Sequence, residues 1–422
     1  MKRLTAVVVG YGNRGATYAS YAAKHPEELE IIAVADHAPN RREYAAKLHG
    51  LSEDRLFSDW RELAELPRMA DFAIIATQDR GHCEPALALI EKGYSLLLEK
   101  PMATTPAECK AITEAAEKKG VRVIVCHVLR YTNFWTTLKD IIDSGEIGTV
   151  MSIVHMENVG NVHQSHSYVR GNWHNTSLSA PMILAKCCHD TDILQWLIGK
   201  KCKRVQSFGS LTYFTAAHKP EGSPERCTDG CPYADSCFYN AIKLYYDDKE
   251  NTWFRSVAAN TIENPTDEAV MEALKTGPYG KCVYNCDNDA VDHQIVNMEF
   301  EDGCTASLSM NAFNKGGRFI RVFGTEGEIT MGEGDWFNVY SFSTRQTKKV
   351  PITEIGNSIT DGHGGGDTGI MIDVVKCLGD GIVSKSISDV RTSYISHLIA
   401  FAAEISRLDN TVVDLDAYST SL

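Results

Sequence analysis

The sequence predicts an α/β fold: a doubly wound parallel sheet over residues 1–128, then an α+β domain with a large, mostly antiparallel sheet over 129–422. Three observations carry this. Short unalternated runs of Val, Ile, Leu and Ala recur between helical stretches up to about residue 128, as strands covered on both faces require. Three glycines follow the first of these runs and open a helix. Beyond Ile147-Gly148 the apolar runs lengthen and partly alternate, as in MSIVHMENV and QIVNMEF, the pattern of strands with one solvated face.

Taken in order, TAVVVG, EIIAVAD, DFAIIAT, YSLLLEKP and VRVIVCH read as strands of the first domain. Helices fall between them at about 15–25, 40–48, 84–92 and 105–119. The last has Thr104 or Thr105 as N-cap, Pro106 in its first turn and Gly120 as its stop. In the second domain RVQSFGSLTYF, CTASLSMNAF and IRVFGTEGEITM join the two runs above as strands. One helix is expected near 181–198 and a long one over about 389–408. Residues 218–288 are richer in Pro, Gly, Cys and charge and read as an insertion.

With 422 residues, 43% hydrophobic and 23% charged, the composition is that of an ordinary multidomain globular chain. The net charge of −13 argues against partners that are nucleic acid or anionic lipid, since no basic patch offsets it. No window reaches the roughly 18 consecutive apolar residues of a membrane span. The apolar start MKRLTAVVVG is cut short by Gly10 and Arg14 and reads as a first strand, not a leader. Thirteen cysteines without an export signal point to a reducing, cytoplasmic setting.

A Gly-x-Gly-x-x-Gly run is weak by itself, but Gly10, Gly12 and Gly15 lie between a strand and a helix. Backbone N–H groups there, with Asn13 and Arg14, are placed to meet a pyrophosphate. Asp36 ends the second strand 21 residues after Gly15, where a carboxylate accepts from adenine-ribose hydroxyls and disfavours a 2′-phosphate. NAD is therefore expected over NADP, with His37, Arg41 and Arg42 close enough to soften the preference. Thr77 and His82, after the third strand of this rhythm, are candidate contacts on the nicotinamide side.

GYGNRG, LLEKP, KCCHDTDILQWLIG (186–199) and GHGGGD (362–367) together resemble the Gfo/Idh/MocA oxidoreductases, over nearly the whole chain apart from the insertion. The resemblance implies a Rossmann domain, an open-faced second sheet, and NAD(P)-dependent oxidation of a sugar, glycoside or cyclitol hydroxyl. Glu99 and Lys100 then face nicotinamide and substrate, and Lys100 and His189 are the candidate proton-handling groups. Many relatives carry an aspartate where this chain has Ala185, so the base is His189, Lys100 or another group, with Lys186 and Asp190 as charged neighbours. Two other activities stay open: a glycosidase that keeps NAD bound and works by transient oxidation and elimination, and a non-catalytic nucleotide sensor. A homodimer or homotetramer is also implied.

Polar residues suited to a hydroxylated ring cluster at His127, Arg130 and Tyr131, in an expected loop with His166, Tyr168, Arg170, Asn172 and Trp173, at Lys186, and at His363 and Asp367. Cys227, Cys231 and Cys237 share one turn-rich segment, and Cys282 and Cys286 follow. The reading takes Cys282 as fourth ligand of a structural metal site, zinc ahead of an iron–sulfur cluster, with free thiols as the alternative.

Overall fold

The computed structural model describes residues 3–352 and 362–422, the side chains of 362 and 363 excepted. The first domain is a six-stranded parallel sheet of β1 (Leu4–Val9), β2 (Leu29–Ala35), β3 (Leu56–Phe57), β4 (Phe72–Ile75), β5 (Ser95–Leu98) and β6 (Val123–Val125). Its order is β3-β2-β1-β4-β5-β6, so strand order reverses between β1 and β4, which opens a crevice at their carboxyl ends. The strands are apolar along almost their whole length because helices cover both faces: Val7, Val8, Ala73, Ile74, Leu96 and Leu97 are all fully buried. The Pro106–Lys119 helix starts with a capping box between Thr105 and Glu108 and stops at Gly120, whose φ of 68° is left-handed.

The second sheet has nine strands: β7 (Val150–Asn158), β8 (Cys202–Ser210), β9 (His293–Phe300), β10 (Thr305–Asn311), β11 (Gly317–Gly324), β12 (Gly327–Met331), β13 (Trp336–Ser341), β14 (Gln346–Pro351) and β15 (Val413–Asp414). It is antiparallel except where β10 runs parallel to β7, so it is mixed. Alternation separates its faces. Ile153, His155 and Glu157 of β7 are buried, whereas Val154 is 39% exposed.

Four elements differ from the sequence reading. Residues 161–170, expected as a loop, form a short helix, Asn161–His163, running into a wide π-type turn, Gln164–Arg170. The helix expected at 181–198 is two, Met182–Ala185 and Cys188–Ile198, broken at Lys186 and Cys187. The expected strand IRVFGTEGEITM is a hairpin of β11 and β12. GHGGGD leads into a 15-residue helix, Gly366–Asp380, that its glycines concealed. This helix lies on the first domain: Ile370, Met371, Val374 and Val375 share a buried cluster with Val8, Tyr18 and Phe72. The core therefore crosses the boundary at 128.

At the glycine turn the backbone approaches too closely for a side chain. A Cβ on Gly15 would lie 2.0 Å from the carbonyl oxygen of Gly10, and Gly10 itself has φ +85° with Ala76 packed against it. Replacing Gly15 by Ala must open the turn. We expect Gly15→Ala to weaken NAD binding by more than about tenfold, a loss above about 1.4 kcal/mol, in isothermal titration; unchanged affinity would show that the turn does not hold the dinucleotide.

Candidate active site

The Asn13–Lys24 helix begins at the turn with Gly12 as N-cap, no side chain capping it and no acidic residue in its first turn. Its leading N–H groups therefore lack a protein partner of the usual kind, the condition that suits a phosphate. Asp36 is buried at the end of β2, where one carboxylate oxygen accepts from the Tyr11 N–H at 2.7 Å and the other from the Ala38 N–H at 2.8 Å. The Arg41 guanidinium is 3.5 Å from Asp36 and the nearest group to a Cβ built on Gly12; His37 is exposed beside the same carboxylate at 3.7 Å. These residues fit an NAD whose pyrophosphate meets the helix start and whose ribose meets Asp36.

Behind this turn lies a buried ion cluster. Arg14 donates to Glu99 at 2.7 Å, forks onto both oxygens of Asp367 at 2.6 and 3.0 Å, and bonds Tyr18. Tyr18 also donates to Glu99 at 2.8 Å, and the second Glu99 oxygen accepts from the Lys100 N–H at 2.6 Å. The Arg14 guanidinium and these hydrogen bonds hold the Glu99 carboxyl below its usual range although burial opposes them. Arg14 and Glu99, read as cofactor contacts, are thus engaged with each other. Asp367, read as a substrate contact, clamps Arg14.

Lys100 emerges from β5 at the crevice, next to a cis bond to Pro101. Its Nζ donates to the Ala185 carbonyl at 3.0 Å, one of the carbonyls freed by the break in the 182–198 helical segment. His189 lies in the first turn of the next helix, almost buried, with its ring 5.9 Å edge-on from His127. Lys100 Nζ thus meets the segment four residues before His189, and Lys186 in that segment lies 3.4 Å from Glu157.

That segment rests on groups the sequence reading left out. Arg318 of β11 is the register partner of Glu157 on β7 and pairs with it at 2.7 Å; it also reaches Asp190 at 2.8 Å, and His155 contacts Asp190 at 2.8 Å. Asp190 is thereby held well below the usual carboxylate range by Arg318 and by its hydrogen bond to His155. The strand alternation that buries His155 and Glu157 together was the available signal. Asp79 was also missed: it accepts from Trp173 at 3.0 Å and Ser179 at 2.7 Å, tying that loop to the end of β4.

Several of the expected ligand contacts are engaged with other groups of the protein. Arg130 is fully buried in a two-pronged pair with Asp192, both bonds 2.7 Å. Tyr131 is buried against Ser388 at 3.3 Å, and both ring nitrogens of His82 meet carbonyls, of Pro101 at 2.8 Å and Thr77 at 3.1 Å. The Thr77 hydroxyl donates to the Gly81 carbonyl at 2.8 Å. His166 stacks on Phe254 at 4.0 Å and bonds Tyr245 at 2.9 Å, anchoring the insertion, while Arg170 faces the cysteine segment. His127 is wholly buried behind His189. Tyr168 is buried near Trp173, and Asn172 is exposed. The side chain of His363 lies outside the described residues.

Cys227, Cys231, Cys237 and Cys282 line one cavity, but among the described residues the only His/Cys/Asp/Glu group with three or more donor atoms mutually within 4.8 Å is His25, Glu27 and Glu28. The expected ligand cluster is therefore gathered without being closed. None of the described helices is long and apolar enough to cross a membrane.

Residues 4–127 match the oxidoreductase family with an NAD-binding Rossmann fold, Gfo/Idh/MocA, and residues 139–365 match its C-terminal alpha/beta domain; the chain belongs to this family. It is an NAD-binding oxidoreductase. YteT of Bacillus subtilis (strain 168), named for an oxidoreductase role, is 24% identical over 321 residues, 72% of each chain. The inositol 2-dehydrogenase of Salmonella typhimurium (strain LT2) is 26% identical over 211 residues, 49% of this chain and 57% of that enzyme, so the chain matches little more than half its length. Scyllo-inositol dehydrogenase from Lactobacillus casei, solved with NAD(H) and scyllo-inositol, superposes with a TM-score of 0.67 at 14% identity over 98% of this chain and all of that one, a likeness of fold.

The buried imidazoles give a pH prediction. Burial pushes His166 and His397 down to about 3 and His127 well below its ordinary value, with Arg170, His127 and Arg130 respectively adding to the effect. The unfolded chain takes up protons on these groups near pH 6.5 and the folded chain does not, so stability is full above that pH and falls as pH drops towards 3. The expected slope is about 1.4 kcal/mol per pH unit for each histidine. Urea unfolding between pH 7.5 and 5.5 should show this loss, and His166→Phe should lessen it by about a third; a pH-independent midpoint would refute it.

Proposed function

We propose that the chain transfers a hydride between nicotinamide and a secondary hydroxyl of a cyclitol, sugar or glycoside, using NAD. The observation that carries this is the bond from Lys100 Nζ to the Ala185 carbonyl, four residues before His189, with Lys100 leaving the same sheet edge as the uncapped glycine turn. NAD, when bound, supplies the hydride acceptor. His189 takes the hydroxyl proton, a task suited to an imidazole near neutral pH, and the Lys100 ammonium stabilises the oxygen that loses it. Ala185 orients the Lys100 ammonium through its carbonyl, and Glu99 fixes the backbone at Lys100. Lys186, exposed Asn172 and half-buried Trp173 are the polar and aromatic groups placed to meet further hydroxyls. The inositol 2-dehydrogenase likeness supports the cyclitol class.

A screen of cyclitols, sugars and glycosides with NAD, followed at the NADH absorbance band, tests this reading. One class should yield stoichiometric NADH, and Lys100→Ala should lower kcat by about 10²–10⁴ without abolishing NAD binding. Turnover without net NADH would replace this reading with the oxidation and elimination glycosidase. An unchanged rate in Lys100→Ala would remove Lys100 from the chemistry.

We also infer that copies associate through the open face of the second sheet. Register aligns Phe208, Ile295, Ser309, Met156 and Phe319 in one row across five strands. Phe208 is 52% exposed and Ile295 and Phe319 nearly 40%, an apolar row that a lone chain would leave in water. Light scattering should give a dimer or tetramer, and Phe208→Glu should shift it to smaller species; a monomeric wild type would overturn the inference.

A further inference from the structure

The 218–288 insertion is held by two small cores and a gap between them. One core gathers Phe214, Tyr239, Val283 and Tyr284, with Cys237 and Cys282 packed on its edge; the other gathers Tyr245, Phe254, Leu274 and Tyr279, with Cys227 on its edge. Between them is a cavity of about 200 Å³, lined by Cys227, Cys231, Cys237, Cys282 and Arg170. Cores of this size stabilise little by themselves, and small units of this kind commonly depend on metal or disulfides.

Local backbone geometry aims the thiols at this gap. Arg226 and Lys281 form an isolated antiparallel bridge, flanked by hydrogen bonds from Cys227 N–H to the Gly280 carbonyl at 2.9 Å and from Cys282 N–H to the Glu225 carbonyl at 2.7 Å. This register puts Cys227 and Cys282 on the same face of the ladder as diagonal neighbours, separated by about 7–8 Å at Cα. Such a span exceeds that of an unstrained disulfide, roughly 4.4–6.8 Å, and suits two ligands of one ion. Gly230, with φ +76°, turns the chain back to Cys231, and the Cys237 N–H closes a turn onto the Tyr233 carbonyl at 2.9 Å. Cys286 instead directs its thiol to the Cys282 carbonyl at 3.4 Å and does not line the cavity.

A second observation is independent of the cysteines' positions. Arg170 is 2% exposed, donates to the Lys281 and Tyr239 carbonyls at 2.8 and 2.7 Å, and lies 3.9 Å from the Cys227 sulfur, while its Nη1 has no hydrogen-bond partner. Among the described residues no carboxylate pairs with it. A buried cation without a counter-ion is costly, and the neighbouring groups able to become anionic are the Tyr245 hydroxyl and the thiols of Cys227, Cys282 and Cys286.

We propose that Cys227, Cys231, Cys237 and Cys282 bind one structural zinc ion as thiolates, with Arg170 offsetting part of the site's negative charge. Four thiolates around a divalent ion carry a net charge of minus two, so the guanidinium's single charge has the required sign. On binding, four S–H protons leave to solvent and four zinc–sulfur bonds form; no redox change takes place. The sulfurs line the cavity without any three lying mutually within 4.8 Å, so binding requires them to move closer together. The site lies in the insertion, apart from Lys100 and His189, and its role is to tie the two small cores together.

The test is metal analysis of the full-length chain, purified under reducing conditions and dialysed against micromolar zinc. About one zinc per chain is expected. In the unaltered protein, zinc should shield four thiols from a thiol reagent, and a strong chelator should expose them and accelerate proteolysis between 218 and 288. Cys286→Ser should keep the metal and Cys282→Ser should lose most of it, with NAD binding by the first domain reporting that each variant is folded. Sub-stoichiometric zinc with no chelator-dependent thiols would overturn the proposal, and so would iron with acid-labile sulfide or retention of zinc by Cys282→Ser.

Discussion

The guanidinium of Arg14, shared between the carboxylates of Glu99 and Asp367, is the contact on which the crevice depends. Three segments distant in sequence meet there: the helix that starts at the glycine turn, the end of β5, and the start of the Gly366–Asp380 helix. One cation between two buried carboxylates leaves a net negative charge, which the hydrogen bonds from Tyr18 and the Lys100 backbone spread over more donors. Removing one partner of such a buried cluster costs more than the cluster contributes, because it strands the others. Its function is therefore better described as fixing geometry than as adding stability. It sets the direction in which Lys100 leaves the sheet and seats a second-domain helix on the first domain's core.

The same economy of buried charge explains which expected residues are paired with other groups of the protein. Arg130 with Asp192, and Asp190 with His155 and Arg318, are fully or nearly paired, so they present no unsatisfied group to a ligand. In a sequence, an arginine or tyrosine after a strand looks the same whether its partner is a sugar or an aspartate 62 positions away. The first domain was legible because its signals are local: β-branched runs, caps, and a glycine turn whose spacing reflects backbone clearance. The crevice positions of Gly10, Gly12, Gly15, Asp36 and Lys100 followed from those signals together with the strand order.

What stayed hidden was hidden for stated physical reasons. The π-type turn at Gln164–Arg170 has no 3.6-residue apolar stripe, since all of its residues are buried, polar ones included. The Gly366–Asp380 helix opens on glycines, which signal loops, and only its later Ile, Met and Val spacing betrays a buried face. Glu157 and Arg318 are brought together by sheet register across 161 positions, information that no local pattern holds.

The break between Met182–Ala185 and Cys188–Ile198 links the second domain to the crevice. An unbroken helix would use the Ala185 carbonyl in its own ladder; the break at Lys186 and Cys187 releases it, and Lys100 takes it. A carbonyl orients an ammonium as well as a carboxylate does but brings no full negative charge. Ala185 therefore leaves Lys100 held in place by a neutral partner, with its positive charge directed to the crevice. Under the proposed chemistry this is a useful state, because the oxygen that loses its proton there develops negative charge, and a fixed cation beside it stabilises that charge without having to reorganise. An aspartate at 185 would have compensated the same cation before the reaction began. The helix break thus does at this position the orienting work that a carboxylate would do, with His189 opening the next helix on the far side of it.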